Sequence, residues 1–212
     1  NKSDETITFD EVGRCNYCRQ AIEDMKTTYF PNKDGEKKLS ELILALKNEG
    51  KGKDYDCMMG ISGGLDSAYL AYLGYTWGLR ILAIHIDDGF DTEISKQNIK
   101  KLTAATGIKM LTICPDSEQY CDLIKAFIKS EVPDIAMPQD NILFAFLYAT
   151  AKQYKIKSFL SGGNFALECI LQQGNAHSAY DVVHIKDIHK KFGTKPINKL
   201  KFITSIKKEI DK

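Results

Sequence analysis

The stretch YDCMMGISGGLDS, residues 55–67, predicts the fold more directly than any other part of the sequence. It begins with a short, almost continuous apolar run, which is typical of a strand buried in a parallel sheet. The run ends in two adjacent glycines, and a helical pattern follows at 66–77. A strand that passes through a glycine turn into a helix indicates the first unit of a strand–helix–strand fold.

The rest of the chain repeats this alternation. We predict a helix around 39–46, further strands at 80–86, 109–114 and 156–160, and helices at 93–105, around 120–128 and at 141–151. The last of these helices is apolar nearly all round, so we expect it to be well buried. The alternation predicts an α/β fold with a doubly wound parallel sheet. Residues 1–35 are polar and broken by glycine and proline, so we expect an N-terminal appendage before a main domain at 36–212.

Composition argues against several classes of protein. Of the 212 residues, 43% are hydrophobic and 27% charged, which suits a domain with a sizeable core. The net charge of +1 argues against a nucleic-acid-binding surface. No apolar run reaches the roughly 18 residues of a membrane span, so we expect no membrane association. Six cysteines, most of them within apolar runs, favour a reducing cytoplasm over a disulfide framework.

A second Ser-Gly-Gly sequence occurs in FLSGGN, residues 159–164, and it also follows a predicted strand. Ligands of open parallel sheets bind at the carboxyl ends of the strands, where loops lead into helices. We therefore expect the two Ser-Gly-Gly turns to form two walls of one crevice.

The first turn has the features of an anion-binding loop. Gly63 and Gly64 let the backbone approach a ligand, and the amides that open the following helix attract negative charge. Asp66 stands where a G-x-x-x-x-G-K-[ST] phosphate loop has its lysine. A carboxylate repels phosphates unless a cation lies between them, so Asp66 predicts bound Mg²⁺. The alternative is a tight turn in which Asp66 only favours the helix dipole.

Residues 62–67, SGGLDS, resemble the S-G-G-x-D-S loop of the PP-loop ATP pyrophosphatases. This superfamily, with its adenine nucleotide alpha hydrolase-like fold, includes NAD synthetase, GMP synthetase and several tRNA-modifying enzymes. Its members adenylate an oxygen of the substrate and release pyrophosphate. The resemblance implies that the β- and γ-phosphates of ATP bind to Ser62, Gly63, Gly64 and Ser67, with Asp66 carrying Mg²⁺.

Five more segments narrow the resemblance to the N-acetyl sugar amidotransferases, which convert an acetamido group into an acetamidino group for surface polysaccharides such as lipopolysaccharide. These segments are ITFDEVGRCNYCR (7–19), HIDDGFDTEIS (85–95), MPQDNILFAFLYATA (137–151), SGGNFALE (161–168) and YDVVHIKDIHKKFGTKP (180–196). The likeness covers almost the whole chain. It implies another C-x-x-C before Asn1 and more sequence after Lys212, so we expect a chain truncated at both ends.

The segment at 85–95 would line the adenine. The resemblance implies that His85 and Asp87 bind the nucleotide, and Asp88 is a further candidate. Asp-Asp-Gly is also a common turn, in which Asp91 would complete a solvated acidic cluster. His85 has an equally simple explanation as a histidine of the core.

The two later segments would act on the reacting phosphates. Gly162, Gly163 and Asn164 would face ATP from across the crevice, with Glu168 on the same helical face as Asn164. Lys195 would stabilise the departing pyrophosphate. The alternatives are that Asn164 only caps a helix and that Lys195 belongs to a solvated basic stretch.

Cys15 and Cys18 form a C-x-x-C pair, which is half of a tetrahedral zinc site. The resemblance implies that the upstream pair completes it, and we expect a structural rather than a redox role. Cys57 and Cys114 lie on predicted strands, where buried cysteines act as small hydrophobic residues.

Together, these observations predict an ATP-dependent, AMP-forming amidotransferase that acts on an N-acetylated, nucleotide-linked sugar, with Asp66, Glu168 and Lys195 as catalytic residues. The chain has no glutaminase signature, so the resemblance implies that a separate glutaminase with a cyclase-like companion supplies ammonia. One alternative is a tRNA-modifying PP-loop enzyme of the thiolase type, against which the net charge counts. The other is a nucleotide-binding regulatory subunit without turnover.

Overall fold

The described part of the chain, residues 4–163 and 178–203 of a computed structural model, alternates between helices and strands as expected. In chain order the elements are α1 (Asn16–Thr28), α2 (Lys33–Glu49), β1 (Cys57–Gly60), α3 (Leu65–Thr76), β2 (Ile81–Ile86), α4 (Glu93–Thr106), β3 (Lys109–Ile113), α5 (Ser117–Ser130), α6 (Met137–Tyr154), β4 (Phe159–Leu160) and α7 (Val182–Phe192). None of the helices in these ranges is long and apolar enough to cross a lipid bilayer.

The four strands form one parallel sheet in the order β3–β2–β1–β4. The chain steps outward from β1 to β3, then crosses back and places β4 on the other side of β1. Met59 is therefore paired with Ala83 of β2 on one side and with Leu160 of β4 on the other. The strand order reverses between β1 and β4, and open α/β sheets form their ligand crevice at such a point.

Both faces of the sheet are covered by helices, which confirms the doubly wound prediction. Met59 is fully buried in a cluster with Leu46 of α2, Ala71 of α3 and Ile99 of α4. Its neighbour Met58 points to the opposite face, because successive side chains of a strand alternate. There it packs in a cluster that includes Leu147 of α6.

Helix α6 lies between two apolar layers, which explains why its sequence is apolar nearly all round. Leu147 belongs to the cluster under the sheet, whereas Ile142 packs with Phe127 of α5 and Ile185 of α7. Burial on two sides leaves little room for a polar face. The prediction that this helix is well buried is confirmed.

The N-terminal region contains a helix, α1, that was not predicted from the sequence. Cys15 caps it: its sulfur accepts a hydrogen bond from the Cys18 amide. Helix α2 begins at Lys33, two residues before the end of the predicted appendage at 1–35, because Asn32 accepts from the amides of Asp34 and Gly35. Strand β4 is shorter than the predicted 156–160, since only Phe159–Leu160 is in register with β1.

Candidate active site

The first Ser-Gly-Gly turn connects β1 to α3 and has its hydroxyl groups directed at one another. The Ser62 and Ser67 oxygens lie 3.2 Å apart, and Ser67 Oγ accepts from the Ser62 amide at 3.3 Å. Gly63 adopts a left-handed conformation with φ of +78°, which favours glycine. Gly64 is the N-cap of α3 and provides no side-chain hydrogen bond. The amides of the first helical turn are thus left without a capping side chain, as in an anion-binding helix N-terminus.

The second Ser-Gly-Gly turn follows β4 and lies against the first. A Cβ atom built on Gly162 would stand 3.3 Å from the Ser67 nitrogen and 3.4 Å from the Asp66 carbonyl carbon. Ser161 Oγ accepts from the Gly163 amide at 3.3 Å, which closes the turn. Asn164 and Glu168, predicted to act with this turn, lie outside the described residues.

A cleft of about 420 Å³ opens where β1, β2 and β4 end. Its lining from the described part of the chain consists of Gly60, Ile61, Ser62, Ile84, His85, Ile86, Asp88, Asp91, Gln139, Asp140, Leu143, Phe144, Leu147, Phe159, Leu160, Ser161 and Gly162. A Cβ built on Gly60 would meet no atom within 4 Å. A ligand could therefore approach the backbone closely at this position.

The polar wall of the cleft is built around Asp88 rather than Asp87. Asp88 is buried, and its Oδ2 accepts from the Tyr120 hydroxyl at 3.0 Å and from Gln139 Nε2 at 2.9 Å. Burial, with the neighbouring Asp88, raises the pKa of Tyr120, so the phenol keeps its proton and donates. Asp87 accepts from the Gly89 amide at 3.2 Å, as in a turn. The structure therefore brings Asp88 into the cleft, while the predicted nucleotide ligand Asp87 closes a turn.

His85 lines the cleft, with each ring nitrogen bound to a protein acceptor. Nδ1 lies 2.9 Å from the Ile61 carbonyl oxygen, and Nε2 lies 2.8 Å from Asp91 Oδ2. Both contacts are hydrogen bonds only when both nitrogens carry a proton. The Asp91 side chain is only 13% exposed, so the expectation of a solvated acidic cluster is wrong for this residue.

Lys195 lies on a segment that Asp122 of α5 holds in place. The Asp122 carboxylate accepts from His189 Nε2 at 3.0 Å, from the Thr194 hydroxyl at 2.6 Å and from the amides of Thr194 and Lys195. Burial alone would raise the pKa of Asp122, but these hydrogen bonds outweigh it and hold that pKa below its ordinary value. The ammonium of Lys195 is paired with Glu118 at the start of α5, and Lys195 does not line the cleft.

The two cysteines of the appendage lie together at the start of α1. Their sulfur atoms are 3.4 Å apart, close to the roughly 3.8 Å between two sulfurs on a tetrahedral zinc. Hydrogen bonds from the Cys18 amide and thiol lower the pKa of Cys15, which favours the thiolate that a metal would bind. Within residues 4–163 and 178–203 there is no group of three or more potential metal-ligating side chains. The described chain thus provides two ligands, and zinc binding stays a prediction.

Cys57 and Cys114 were both expected to be buried in strands, and one of them is not. Cys57 is fully buried in β1, as predicted, and burial together with Asp56 raises its pKa to about 12. Cys114 is exposed, because β3 ends one residue before it. The expectation that Cys114 is a buried strand residue is therefore wrong.

Three residues that contact site residues were not predicted from the sequence to belong to the site. Gln139 binds Asp88, Asp91 binds His85, and Asn98 donates from its side-chain amide to the Gly63 carbonyl oxygen at 3.2 Å. Asn98 and Gly63 lie on different elements, and ordinary helical residues such as Asn98 form no motif. Only the packing of α4 beside the first turn reveals the contact.

The donor set at the cleft suits a magnesium–polyphosphate ligand. The Ser62 and Ser67 hydroxyls and the start of α3 offer hydrogen bonds to phosphate oxygens. Asp66 is exposed in the first turn of α3, whereas the carboxylates of Asp88 and Asp91 are within hydrogen-bond distance of protein partners. The exposed Asp66 carboxylate opposes bare polyphosphate and is a hard oxygen ligand of the kind that Mg²⁺ binds together with substrate phosphates. The residues present therefore fit Mg²⁺ bound together with a polyphosphate.

The sequence matches no protein-family model and no curated protein. Among solved structures it is similar to NMN synthetase from Francisella tularensis, with 24% identity, a TM-score of 0.45, and coverage of 59% of this chain and 52% of that one. It is also similar to NH3-dependent NAD synthetase from Campylobacter jejuni, with 15% identity, a TM-score of 0.46, and coverage of 74% and 75%. Glutamine-dependent NAD+ synthetase from Acinetobacter baumannii has 17% identity, a TM-score of 0.45, and coverage of 59% and 25%.

The chain spans about half the length of the Francisella protein. With identities of 24% or less and TM-scores of 0.46 or less, these likenesses by themselves assign neither a family nor an activity.

Proposed function

We propose that this protein is an ATP-dependent, AMP-forming amidotransferase that acts on an N-acetylated, nucleotide-linked sugar. The observation that carries the proposal is the contact of Gly162 with Asp66 and Ser67, through which the two Ser-Gly-Gly turns meet at the reversal of strand order. One nucleotide can contact both turns there. The S-G-G-x-D-S sequence of the first turn supports pyrophosphate as the group that it holds.

The first turn binds the β- and γ-phosphates in this proposal. Ser62, Gly63, Gly64 and Ser67 contribute hydroxyl and amide donors, and Asp66 holds Mg²⁺. Bound Mg²⁺ would neutralise charge on the polyphosphate. The uncapped start of α3 adds the favourable end of a helix dipole.

The adenosine lies toward the end of β2, beside His85 and Asp87, and Asp88 shapes the wall next to it. Gly162 and Gly163 then face the α-phosphate, with Asn164 and Glu168 from the adjoining segment. The ammonium of Lys195 stabilises the leaving pyrophosphate. To do so, it must break its ion pair with Glu118 and bind the phosphates instead.

The proposed reaction has two steps. The acetamido oxygen of the sugar attacks the α-phosphorus, its bond to phosphorus forms, and pyrophosphate leaves. Ammonia then adds to the activated carbon and displaces AMP, which leaves an amidine after loss of a proton. A neutral amide oxygen is a weak nucleophile, so positioning of the two substrates supplies much of the barrier lowering. Ammonia comes from a separate glutaminase subunit with a cyclase-like companion.

The test is an assay for AMP and pyrophosphate with the full-length protein, Mg·ATP and a panel of N-acetylated sugar nucleotides. We expect AMP only when sugar nucleotide and ammonium are both present, and a mass spectrum that identifies the amidine. Turnover at fixed total ammonium should rise with pH, because only unprotonated ammonia is nucleophilic. Glutamine alone should have no effect. AMP formation that depends on tRNA instead of a sugar would establish the tRNA-modifying alternative, and ATP binding without AMP would establish the regulatory one.

A further inference from the structure

The phosphate loop, residues 62–67, lies directly on the first turns of α4. A Cβ atom built on Gly63 would stand 2.6 Å from the Ser95 carbonyl oxygen and 2.7 Å from Ser95 Cβ. No side chain fits between the two backbones, so α4 is the surface on which the loop is shaped.

Asn98 determines the direction of one peptide of the loop. Its Nδ2 donates to the Gly63 carbonyl oxygen at 3.2 Å. A trans peptide bond directs its carbonyl and its N–H to opposite sides, so the Gly64 N–H must point away from α4. It points into the loop, where it lies 3.3 Å from Ser62 Oγ. The Gly64 amide donates to Ser62 Oγ there, so Asn98 fixes the side of the loop on which this donor lies.

His85 and Asp91 do the same for the peptide that enters the loop. His85 Nδ1 donates to the Ile61 carbonyl oxygen at 2.9 Å, and the next amide, that of Ser62, points to Ser67 Oγ at 3.3 Å. Asp91 holds the other ring nitrogen of His85 at 2.8 Å. A buried histidine whose two nitrogens face acceptors is fixed in both position and orientation.

We propose that Asp91 and Asn98 are positioning residues, which hold the phosphate loop in its anion-binding conformation through His85 and Gly63. The inference rests on the proposed function, because it assumes that the loop binds the phosphates of ATP. Neither side chain needs to touch the nucleotide. Their contribution is preorganisation, since the loop amides then point inward before the ligand arrives.

The experiment measures the affinities of Mg·ATP, magnesium pyrophosphate and adenosine by calorimetry, with thermal unfolding as a check of folding. Asn98→Ala and Asp91→Ala should each raise the dissociation constants of Mg·ATP and pyrophosphate about tenfold or more, as expected for loss of a preorganising hydrogen bond. In Asn98→Ala the adenosine affinity should stay the same, because adenosine has no phosphate and, within the described residues, the Asn98 side chain bonds only to the loop. A merely structural role would weaken all three ligands together.

Conservative and control variants sharpen the result. Asp91→Asn should retain pyrophosphate affinity, because its amide oxygen still accepts from His85. Asn98→Asp should lose more pyrophosphate affinity than Asn98→Ala, because a carboxylate repels the Gly63 carbonyl oxygen. Gln97→Ala, on the exposed side of the same helix, should behave as wild type.

The inference falls if folded Asn98→Ala binds pyrophosphate as tightly as wild type, or if adenosine affinity falls equally. Should Asp91→Ala fail to fold, the two Asn98 variants decide. If the wild-type chain binds neither Mg·ATP nor pyrophosphate, the proposed function falls as well.

Discussion

The backbone of Gly162 lies against the backbone of Ser67, with room for a hydrogen but not for a methyl group without a tight contact. The two residues follow different strands, β4 and β1, which are neighbours in the sheet. The pairing Met59↔Leu160 places the ends of both strands at the same level. The repeated Ser-Gly-Gly sequence is thereby explained as two adjacent turns at one site.

The first prediction concerns Gly162→Ala. Its Cβ would lie 3.3 Å from the Ser67 nitrogen, so the turns must move apart by a few tenths of an ångström. We expect Mg·ATP affinity to fall at least tenfold, because the two turns are then too far apart for one ligand to contact both well. Calorimetric titration measures this. Gly60→Ala adds a methyl group at the same edge of the sheet without moving the two turns apart, since its Cβ meets no protein atom within 4 Å.

Gly60→Ala also makes a prediction of its own. Glycine in the middle of a strand is destabilising by roughly 0.5–1 kcal/mol relative to alanine, and Gly60 ends β1, so the variant should gain at most this much and unfold at an equal or higher denaturant concentration. The same methyl group takes space in the cleft, and Mg·ATP should bind more weakly. Unfolding in urea and ligand titration on one sample test both. Unchanged ATP affinity would show that the ligand does not approach this strand end.

Asp66→Asn should leave folding nearly unchanged and remove the magnesium dependence of ATP binding. Asp66 is exposed, so its neutralisation leaves no buried charge, whereas Mg²⁺ loses a carboxylate ligand. Titrations with and without Mg²⁺ measure the effect. Asp34→Asn changes a carboxylate in the first turn of another helix and controls for the helix dipole. Equal magnesium dependence in Asp66→Asn and wild type would disprove the assignment.

Lys195→Ala should reduce the rate of AMP formation about a hundredfold, if the ammonium stabilises the leaving pyrophosphate. ATP affinity should change much less, because the charge develops in the transition state. Lys191→Ala is the control, since Lys191 is a nearby lysine that also forms an ion pair, with Asp187. A rate loss that is the same in both variants would assign Lys195 to the solvated basic stretch.

Asp122 should contribute stability that depends on pH. Its lowered pKa means that the contribution is complete above the ordinary aspartate pKa of about 3.9 and is lost as the pH falls through the folded value. Asp122→Asn should cost roughly 2–4 kcal/mol at pH 7, because amides and a hydroxyl lose a charged acceptor. Urea unfolding measures the difference in unfolding free energy between Asp122→Asn and wild type, and this difference should be smaller at pH 3 than at pH 7. A difference that stays constant between pH 7 and pH 3 would contradict the assignment.

The zinc prediction concerns Cys15 and Cys18 in the native full-length protein. Metal analysis should find about one zinc per chain, following the four-ligand rule for structural sites. Cys15→Ser and Cys18→Ser should each lose the zinc. Cys114→Ser should retain it, because Cys114 is exposed after the end of β3 and belongs to no group of three possible metal ligands in the described part of the chain. A folded, zinc-free protein with both thiols open to titration would show that the pair has another role.

Much of the architecture could be predicted from the sequence because its signals are local. Short apolar runs, a glycine turn after residue 60 and periodic apolar positions are enough to place β1, β2, β3 and the helices between them. The prediction of a deeply buried α6 succeeded because burial on two sides requires an apolar surface all round. Local signals failed where pairing decides the outcome, as at β4, whose short length follows from its register with β1.

The alternation of elements, the doubly wound class and the position of the first Ser-Gly-Gly turn follow from the amino-acid sequence alone, because each depends on residues close together in the chain. Three contacts follow only from the three-dimensional packing: Gly162 lies against Ser67, the largely buried Asp91 pairs with His85, and Asn98 donates to Gly63. These contacts join separate elements. Their geometry is set by the crossover that returns β4 to the side of β1 and by the packing of α4 beside the loop.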